Sequence, residues 1–81
     1  MRELLKFQAT WCGPCKSLSK VMEGVDFGMF VTEIDIDQDT ASTVKYQIRG
    51  VPTLILLEDG KEVKRTSGAK TLDALKAWLE N

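Results

Sequence analysis

The stretch Trp11-Cys12-Gly13-Pro14-Cys15 contains both cysteines of the 81-residue chain. With two residues between the thiols, a helix places Cys15 almost one turn beyond Cys12 on the same face. A thiol at the first turn of a helix meets unpaired backbone N–H groups and the positive end of the helix dipole, which favour the thiolate. The sequence therefore predicts that Cys12 is a nucleophile. Cys15 is then the thiol that resolves the mixed disulfide Cys12 forms.

The residues between the cysteines suit this chemistry. Pro14 falls in the first helical turn, where proline loses no hydrogen bond, and Gly13 leaves room for a partner chain. A structural disulfide is less favoured, because so short a loop removes little chain entropy, and so is a pair of merely buried thiols. Zinc needs about four ligands. The chain has two cysteines and no histidine, so it could bind zinc only at a site shared between molecules. No metal-binding residues are predicted.

Apolar patterns around the pair predict an α/β domain. The predicted elements, in chain order, are a strand over 4–9, a helix from 15 to about 28, a strand over 30–36, a short helix from 39 or 40 to 46, a hairpin of strands over 53–57 and 62–66, and a helix that starts after 71. The order is βαβαββα. A helical crossover makes the first two strands parallel and the hairpin adds antiparallel strands, so we expect a four-stranded mixed sheet flanked by three helices.

Composition narrows the class of protein. Hydrophobic residues make up 43% and charged residues 28%, and no repeat or linker divides the chain, so residues 1–81 are expected to form a single domain. Eleven basic against 12 acidic residues leave a formal net charge of −1, which favours neither nucleic acid nor membrane as a partner. No apolar stretch of signal-peptide or membrane-spanning length is present. A cytoplasmic monomer is the expectation.

The segment from Phe7 to Lys16, FQATWCGPCK, resembles the active-site segment of thioredoxins. Three further segments agree in the same order: IDIDQ at 34–38, YQIRGVPT at 46–53 and GA at 68–69. The resemblance covers essentially the whole chain. The family's usual amino-terminal strand and helix have no counterpart, so the sequence resembles a short, minimal thioredoxin, a form that phages also encode.

The resemblance implies further site residues. It implies a thioredoxin-like fold in which the Val51–Pro52 peptide bond is cis and faces the Cys12 sulfur, with the Val51 backbone pairing with an extended substrate. Trp11 is implied to flank the thiol on the docking surface, and Gly68 to leave space for a partner backbone. Without the family, Pro52 is a residue that starts a strand, Trp11 packs beside a turn and Gly68 is an ordinary turn glycine.

The sequence departs from the family behind the cysteines. Thioredoxins usually have a buried aspartate six residues before the first cysteine, paired with a lysine on the neighbouring strand; the matching residues here are Lys6 and Glu33, with the charges exchanged. We predict a partly buried Lys6/Glu33 pair in which Glu33, or a water it holds, accepts the Cys15 proton. The alternative is two solvated charges. Gln8 stands where many thioredoxins have an aromatic residue.

The resemblance implies a protein-disulfide reductase. In that interpretation Cys12 attacks a substrate disulfide, Cys15 resolves it, and an NADPH-dependent thioredoxin reductase restores the dithiol. The redox group is the Cys12–Cys15 disulfide, and no bound cofactor is expected. Two alternatives stay open: a glutathione-dependent, glutaredoxin-like oxidoreductase, against which the WCGPC string argues, and a binding module in which the thiols are incidental.

Overall fold

The computed structural model describes all residues from 1 to 81, and its elements follow the predicted order. They are β1 (Arg2–Gln8), α1 (Gly13–Met22), β2 (Phe30–Asp35), α2 (Thr40–Lys45), β3 (Thr53–Glu58), β4 (Lys61–Ser67) and α3 (Leu72–Glu80). The prediction of a βαβαββα fold with four strands and three helices is confirmed.

The four strands form one mixed sheet in the order β2-β1-β3-β4. β1 pairs with β2 in parallel and with β3 antiparallel, and β3 pairs antiparallel with β4. Phe7, near the carboxyl end of β1, is in register with Thr53 at the amino end of β3. The loop after β1, which contains the cysteines, therefore lies beside the loop before β3, which contains Pro52.

The apolar core lies on both faces of the two central strands. α1 and α3 cover one face, where the buried residues are Leu4, Leu18, Met22, Leu54, Leu56, Leu75 and Leu79. The other face buries Leu5, Phe7, Ile55 and Leu57 against half-buried residues that include Ile34, Tyr46 and Ile48. Because β3 is covered on both sides, its sequence is a continuous apolar run rather than an alternating one.

Helix α1 is shorter than its apolar spacing predicts. It ends at Met22, with Glu23 in an extended conformation, whereas the pattern predicted a helix to about Gly28. Gly24 follows with φ +71°, a left-handed conformation that stops a helix, and the Val25 amide closes a turn onto the Met22 carbonyl at 3.2 Å. Val25 keeps the helical spacing but lies outside the helix.

The amino end of α2 is capped by Asp39, the first of the two residues, 39 or 40, at which the sequence predicted this helix to start. Its carboxylate accepts a hydrogen bond from the Ser42 amide at 3.0 Å, and this bond, with a second from the Ser42 hydroxyl, holds the pKa of Asp39 below its usual 3.8. A carboxyl whose pKa is lowered by folding stabilises the fold above its unfolded pKa, and this contribution is lost as the pH falls through the folded value.

We therefore expect Asp39→Ala to lower the free energy of unfolding at neutral pH, with a deficit that shrinks below about pH 4. Urea unfolding followed by circular dichroism across that range measures it. The control is Asp39→Asn, which keeps a capping oxygen without the charge and should lose only the pH-dependent part. A deficit for Asp39→Ala that stays constant at every pH would contradict this assignment.

Candidate active site

Cys12 lies where the predicted nucleophile was expected, at the start of α1. It is the N-cap residue, in an extended conformation with φ −92° and ψ 109°, and its amide closes a turn onto the Ala9 carbonyl at 3.2 Å. Pro14 lies in the first helical turn. The turn and the proline together determine where the helix begins, so the first thiol is at its positive end.

The two cysteines are joined as a disulfide, with their Cα atoms 5.2 Å apart. Both are buried, at 5% exposure for Cys12 and 2% for Cys15, and they pack with Ala9 against Ile36 and Val51. The Cys15 amide donates to the Cys12 sulfur at 3.1 Å. The same N–H group can stabilise a thiolate at Cys12 once the bond is reduced.

The loop before β3 lies against the disulfide. The Val51–Pro52 peptide bond is cis, as the resemblance implied, and the Val51 carbonyl oxygen lies 3.6 Å from the Cys12 sulfur. Neither the N–H nor the C=O group of Val51 bonds to another backbone group. The loop is held on both sides, since the Thr53 hydroxyl donates to the Gly50 carbonyl at 2.7 Å and the Gly68 amide donates to the Pro52 carbonyl at 3.0 Å.

Trp11 forms part of the exposed rim beside the cysteines. Its side chain is 67% exposed, and its indole N–H donates to a carboxylate oxygen of Asp37 at 2.8 Å. The ring is therefore held at the surface rather than packed in the core. Asp37 was not among the predicted site residues. The signal for it was available, because Asp37 follows β2, and parallel strands end at the same edge of a sheet.

The backbone conformation at position 68 favours glycine. Gly68 has φ +88°, a left-handed conformation that other residues adopt at some cost, and nothing lies within 4 Å of where a Cβ would be. The space beside Gly68 is therefore open toward solvent. Gly13 also has open space around it. Their predicted roles in admitting a substrate backbone remain predictions.

Lys6 and Glu33 are brought together, but they differ in exposure. They face each other in the β1–β2 register, with the Lys6 Nζ 3.6 Å from a Glu33 carboxylate oxygen; Lys6 is 2% exposed and Glu33 is 59% exposed. The Lys6 ammonium also donates to the Gln8 side-chain oxygen at 2.7 Å and to the Ser19 hydroxyl. Ser19 was not predicted, although its position four residues after Cys15 on α1 was a signal.

No helix is long and apolar enough to cross a membrane. No three His, Cys, Asp or Glu side chains group closely enough to hold a metal ion. The disulfide is the redox group that the chain itself provides.

Comparisons with known proteins agree with this geometry. The family model described as Thioredoxin matches residues 2–81. A thioredoxin of Chlamydia trachomatis serovar D is 41% identical over 75 residues, which cover 89% of this chain and 74% of that protein. A thioredoxin of Bacillus subtilis is 38% identical over 76 residues, covering 89% of this chain and 73% of that protein.

Solved structures agree as well. A mutant thioredoxin from Halobacterium salinarum NRC-1 superposes with a TM-score of 0.89 at 41% identity, over 98% of this chain and 72% of that one. Fasciola hepatica thioredoxin superposes with a TM-score of 0.87 at 30% identity, over 98% of this chain and 78% of that one.

Proposed function

Because the chain belongs to the thioredoxin family of protein-disulfide reductases, we propose that its Cys12–Cys15 pair works as a dithiol reductant with unequal roles for the two thiols. The observation that carries the proposal is the Cys15 amide directed at the Cys12 sulfur from 3.1 Å at the start of α1. An N–H donor there favours the thiolate of Cys12 over that of Cys15.

The first step is attack by Cys12. Its thiolate attacks one sulfur of a substrate disulfide, a Cys12–substrate bond forms, the substrate S–S bond breaks, and the leaving thiolate takes up a proton. Val51 supports this step, because its carbonyl oxygen lies 3.6 Å from the Cys12 sulfur and neither its N–H nor its C=O group bonds to another backbone group, so both can pair with an extended substrate backbone. The exposed Trp11 ring forms the surface beside the cysteines, and the buried Pro52 holds the Val51 backbone next to the Cys12 sulfur.

The second step is resolution by Cys15. Its thiolate attacks the Cys12 sulfur, the Cys12–substrate bond breaks, and the second substrate thiolate leaves. Two electrons have passed from the dithiol to the substrate, and the Cys12–Cys15 disulfide remains. With its Cα 5.2 Å from that of Cys12, Cys15 attacks within the molecule and needs no second reductant.

Regeneration of the Cys12–Cys15 dithiol completes the catalytic cycle. We assign it to an NADPH-dependent thioredoxin reductase, and we place the cycle in a reducing compartment such as the cytoplasm, where a dithiol reductant persists. The relatives named above are cellular proteins, and a phage origin stays a prediction.

An insulin-reduction assay tests the function. It is run once with thioredoxin reductase and NADPH and once with glutathione, glutathione reductase and NADPH. We expect turnover in the first arm. Turnover with glutathione alone would replace the proposal by a glutaredoxin-like activity. Absence of turnover in both arms would indicate a binding module.

The role of Gly68 in substrate binding has a matched test. Gly68 and Gly28 both have positive φ, +88° and +73°, and both have open space where a Cβ would lie, but Gly28 precedes β2 at the opposite edge of the sheet. Both changes to alanine should lower the free energy of unfolding by about 1–2 kcal/mol.

Only Gly68→Ala should lower kcat/KM for insulin, by about tenfold, the effect of losing roughly one backbone hydrogen bond to the substrate. Urea unfolding and steady-state insulin reduction measure the two quantities. Equal kinetic losses in Gly68→Ala and Gly28→Ala would show that position 68 lies outside the substrate groove.

A further inference from the structure

Lys6 is the only buried charged residue of the chain, and the steps above give it no role. An ammonium group has three N–H donors, and here they face three oxygens: that of Gln8 at 2.7 Å, that of Ser19, and a Glu33 carboxylate oxygen at 3.6 Å. Burying an ammonium is unfavourable unless its donors are satisfied.

Gln8 and Ser19 can each both accept and donate a hydrogen bond, whereas Lys6 can only donate. The Lys6 ammonium therefore turns the amide oxygen of Gln8 and the hydroxyl oxygen of Ser19 toward itself. Their N–H and O–H groups are left to point elsewhere. Both side chains line a cavity of about 160 Å³ that Cys15 also lines and that Lys6 does not.

We propose that Lys6 is a positioning residue that holds Gln8 and Ser19 as hydrogen-bond donors toward the Cys15 sulfur and so stabilises the Cys15 thiolate. Ser19 lies four residues after Cys15, so the two side chains are neighbours on α1. Hydrogen bonds to the charged form of an acid favour its ionisation. The inference rests on the proposed function, because ionisation of Cys15 matters for the reaction only if Cys15 resolves the mixed disulfide.

The other charged groups near Lys6 and Cys15 lie on α1, at its carboxyl end and on β2. Lys16 and Asp35, of opposite charge, line the same cavity as Cys15. Lys20, Glu23 and Glu33 line a second cavity of about 440 Å³ on the Lys6 side, and β3 places the apolar Leu54 beside Lys6. Glu33 is thus in the cavity that Cys15 does not line. This placement favours Lys6 over Glu33 as the residue that governs the Cys15 proton.

Loss of the oriented donors should raise the pH of half-ionisation of Cys15 by about one unit. At neutral pH the thiolate fraction then falls about tenfold. A more basic thiolate is more nucleophilic, with a Brønsted coefficient of about 0.4–0.5, so resolution slows only about threefold. The titration is therefore the more sensitive measurement.

The experiment titrates Cys15 alone, in a Cys12→Ser background, by ultraviolet thiolate absorbance from about pH 4 to about pH 11. Adding Lys6→Met should raise the half-ionisation pH by about one unit. Lys6→Arg, which keeps a cation with donors, should restore most of the original value. Lys20→Met is the matched control, since it removes a cation from the neighbouring cavity, and it should shift the value little. A folded Lys6→Met protein with an unchanged or lowered value would overturn the proposal.

A second set of variants tests the route and does not depend on the folding of Lys6→Met. Ser19→Ala and Gln8→Leu, in the same background, should each raise the half-ionisation pH of Cys15, because each removes a donor and leaves Lys6 in place. If neither does, Lys6 does not act through these side chains and the proposal is wrong. Glu33→Gln, in the same background, tests the alternative: if it shifts the half-ionisation pH of Cys15 as much as Lys6→Met does, the proton role belongs to Glu33 and the proposal is wrong.

These titrations contain no substrate, so their outcome is separate from that of the insulin assay. If Lys6→Met shifts the half-ionisation pH of Cys15 but the unmutated protein does not reduce insulin, the proposed function alone is overturned. If the unmutated protein reduces insulin but Lys6→Met does not shift the half-ionisation pH of Cys15, the inference alone is overturned.

Discussion

Cys12→Ser is expected to reduce insulin no faster than a protein-free control, because a serine hydroxyl does not ionise in the range where a thiol does and forms no disulfide. The change should leave the fold in place. Serine is a preferred N-cap residue, and its oxygen can accept the hydrogen bond that the Cys15 amide donates to the Cys12 sulfur at 3.1 Å.

Turbidity of precipitating insulin B chain measures the loss, with thermal unfolding of the reduced proteins as the check on folding. Ser17→Ala, on an exposed position of the same helix, is the control and should reduce insulin at the original rate. Substantial turnover by Cys12→Ser would mean that Cys15 can start the reaction, and the assignment of roles would be reversed or shared.

Cys15→Ser is expected to stop after the first step and to accumulate as a covalent complex with its substrate. The Cys12 thiolate still attacks, but the sulfur that would displace the substrate is missing, so the mixed disulfide persists until an external thiol cleaves it. Turnover should again fall close to background. The two variants therefore lose activity for different chemical reasons.

Intact mass analysis under non-reducing conditions distinguishes the two variants. Cys15→Ser incubated with insulin should carry an insulin chain on Cys12, and dithiothreitol should release it. Cys12→Ser should carry little or none, since Cys15 lies inside α1 and lacks the backbone N–H donor that the Cys12 sulfur has at the start of the helix. A complex that forms mainly on Cys15 would contradict the proposed order of attack.

The features that the sequence predicts well are those set by local chemistry. The cysteine pair, the place of Pro14 in the first turn of α1, and the starts of α2 near residue 39 or 40 and of α3 after residue 71 depend on neighbours a few residues away, and the structure agrees with each of them. The element order follows from the apolar periodicity, and all seven elements are present. The cis bond before Pro52 came from the family resemblance, because local chemistry favours trans.

The features that the sequence predicts poorly depend on long-range packing or on backbone conformation. The end of α1 was missed because Val25 continues the helical spacing, while the left-handed Gly24 stops the helix. Asp37 was missed because its contact with Trp11 spans 26 positions and exists only once β1 and β2 are paired. Charge pairing was anticipated for Lys6, whereas its bond to Ser19 requires the packing of α1 on the sheet. Its bond to Gln8 was missed although the two side chains are two positions apart on one face of β1.

The central claim is that the Cys12–Cys15 pair passes its two electrons to protein disulfides, and a single-turnover experiment tests it most directly. The reduced chain is mixed with excess insulin without any recycling enzyme, quenched by alkylation, and analysed by peptide mass. We predict one Cys12–Cys15 disulfide formed for each insulin disulfide lost. Insulin that stays intact while both cysteines are recovered alkylated would contradict the account.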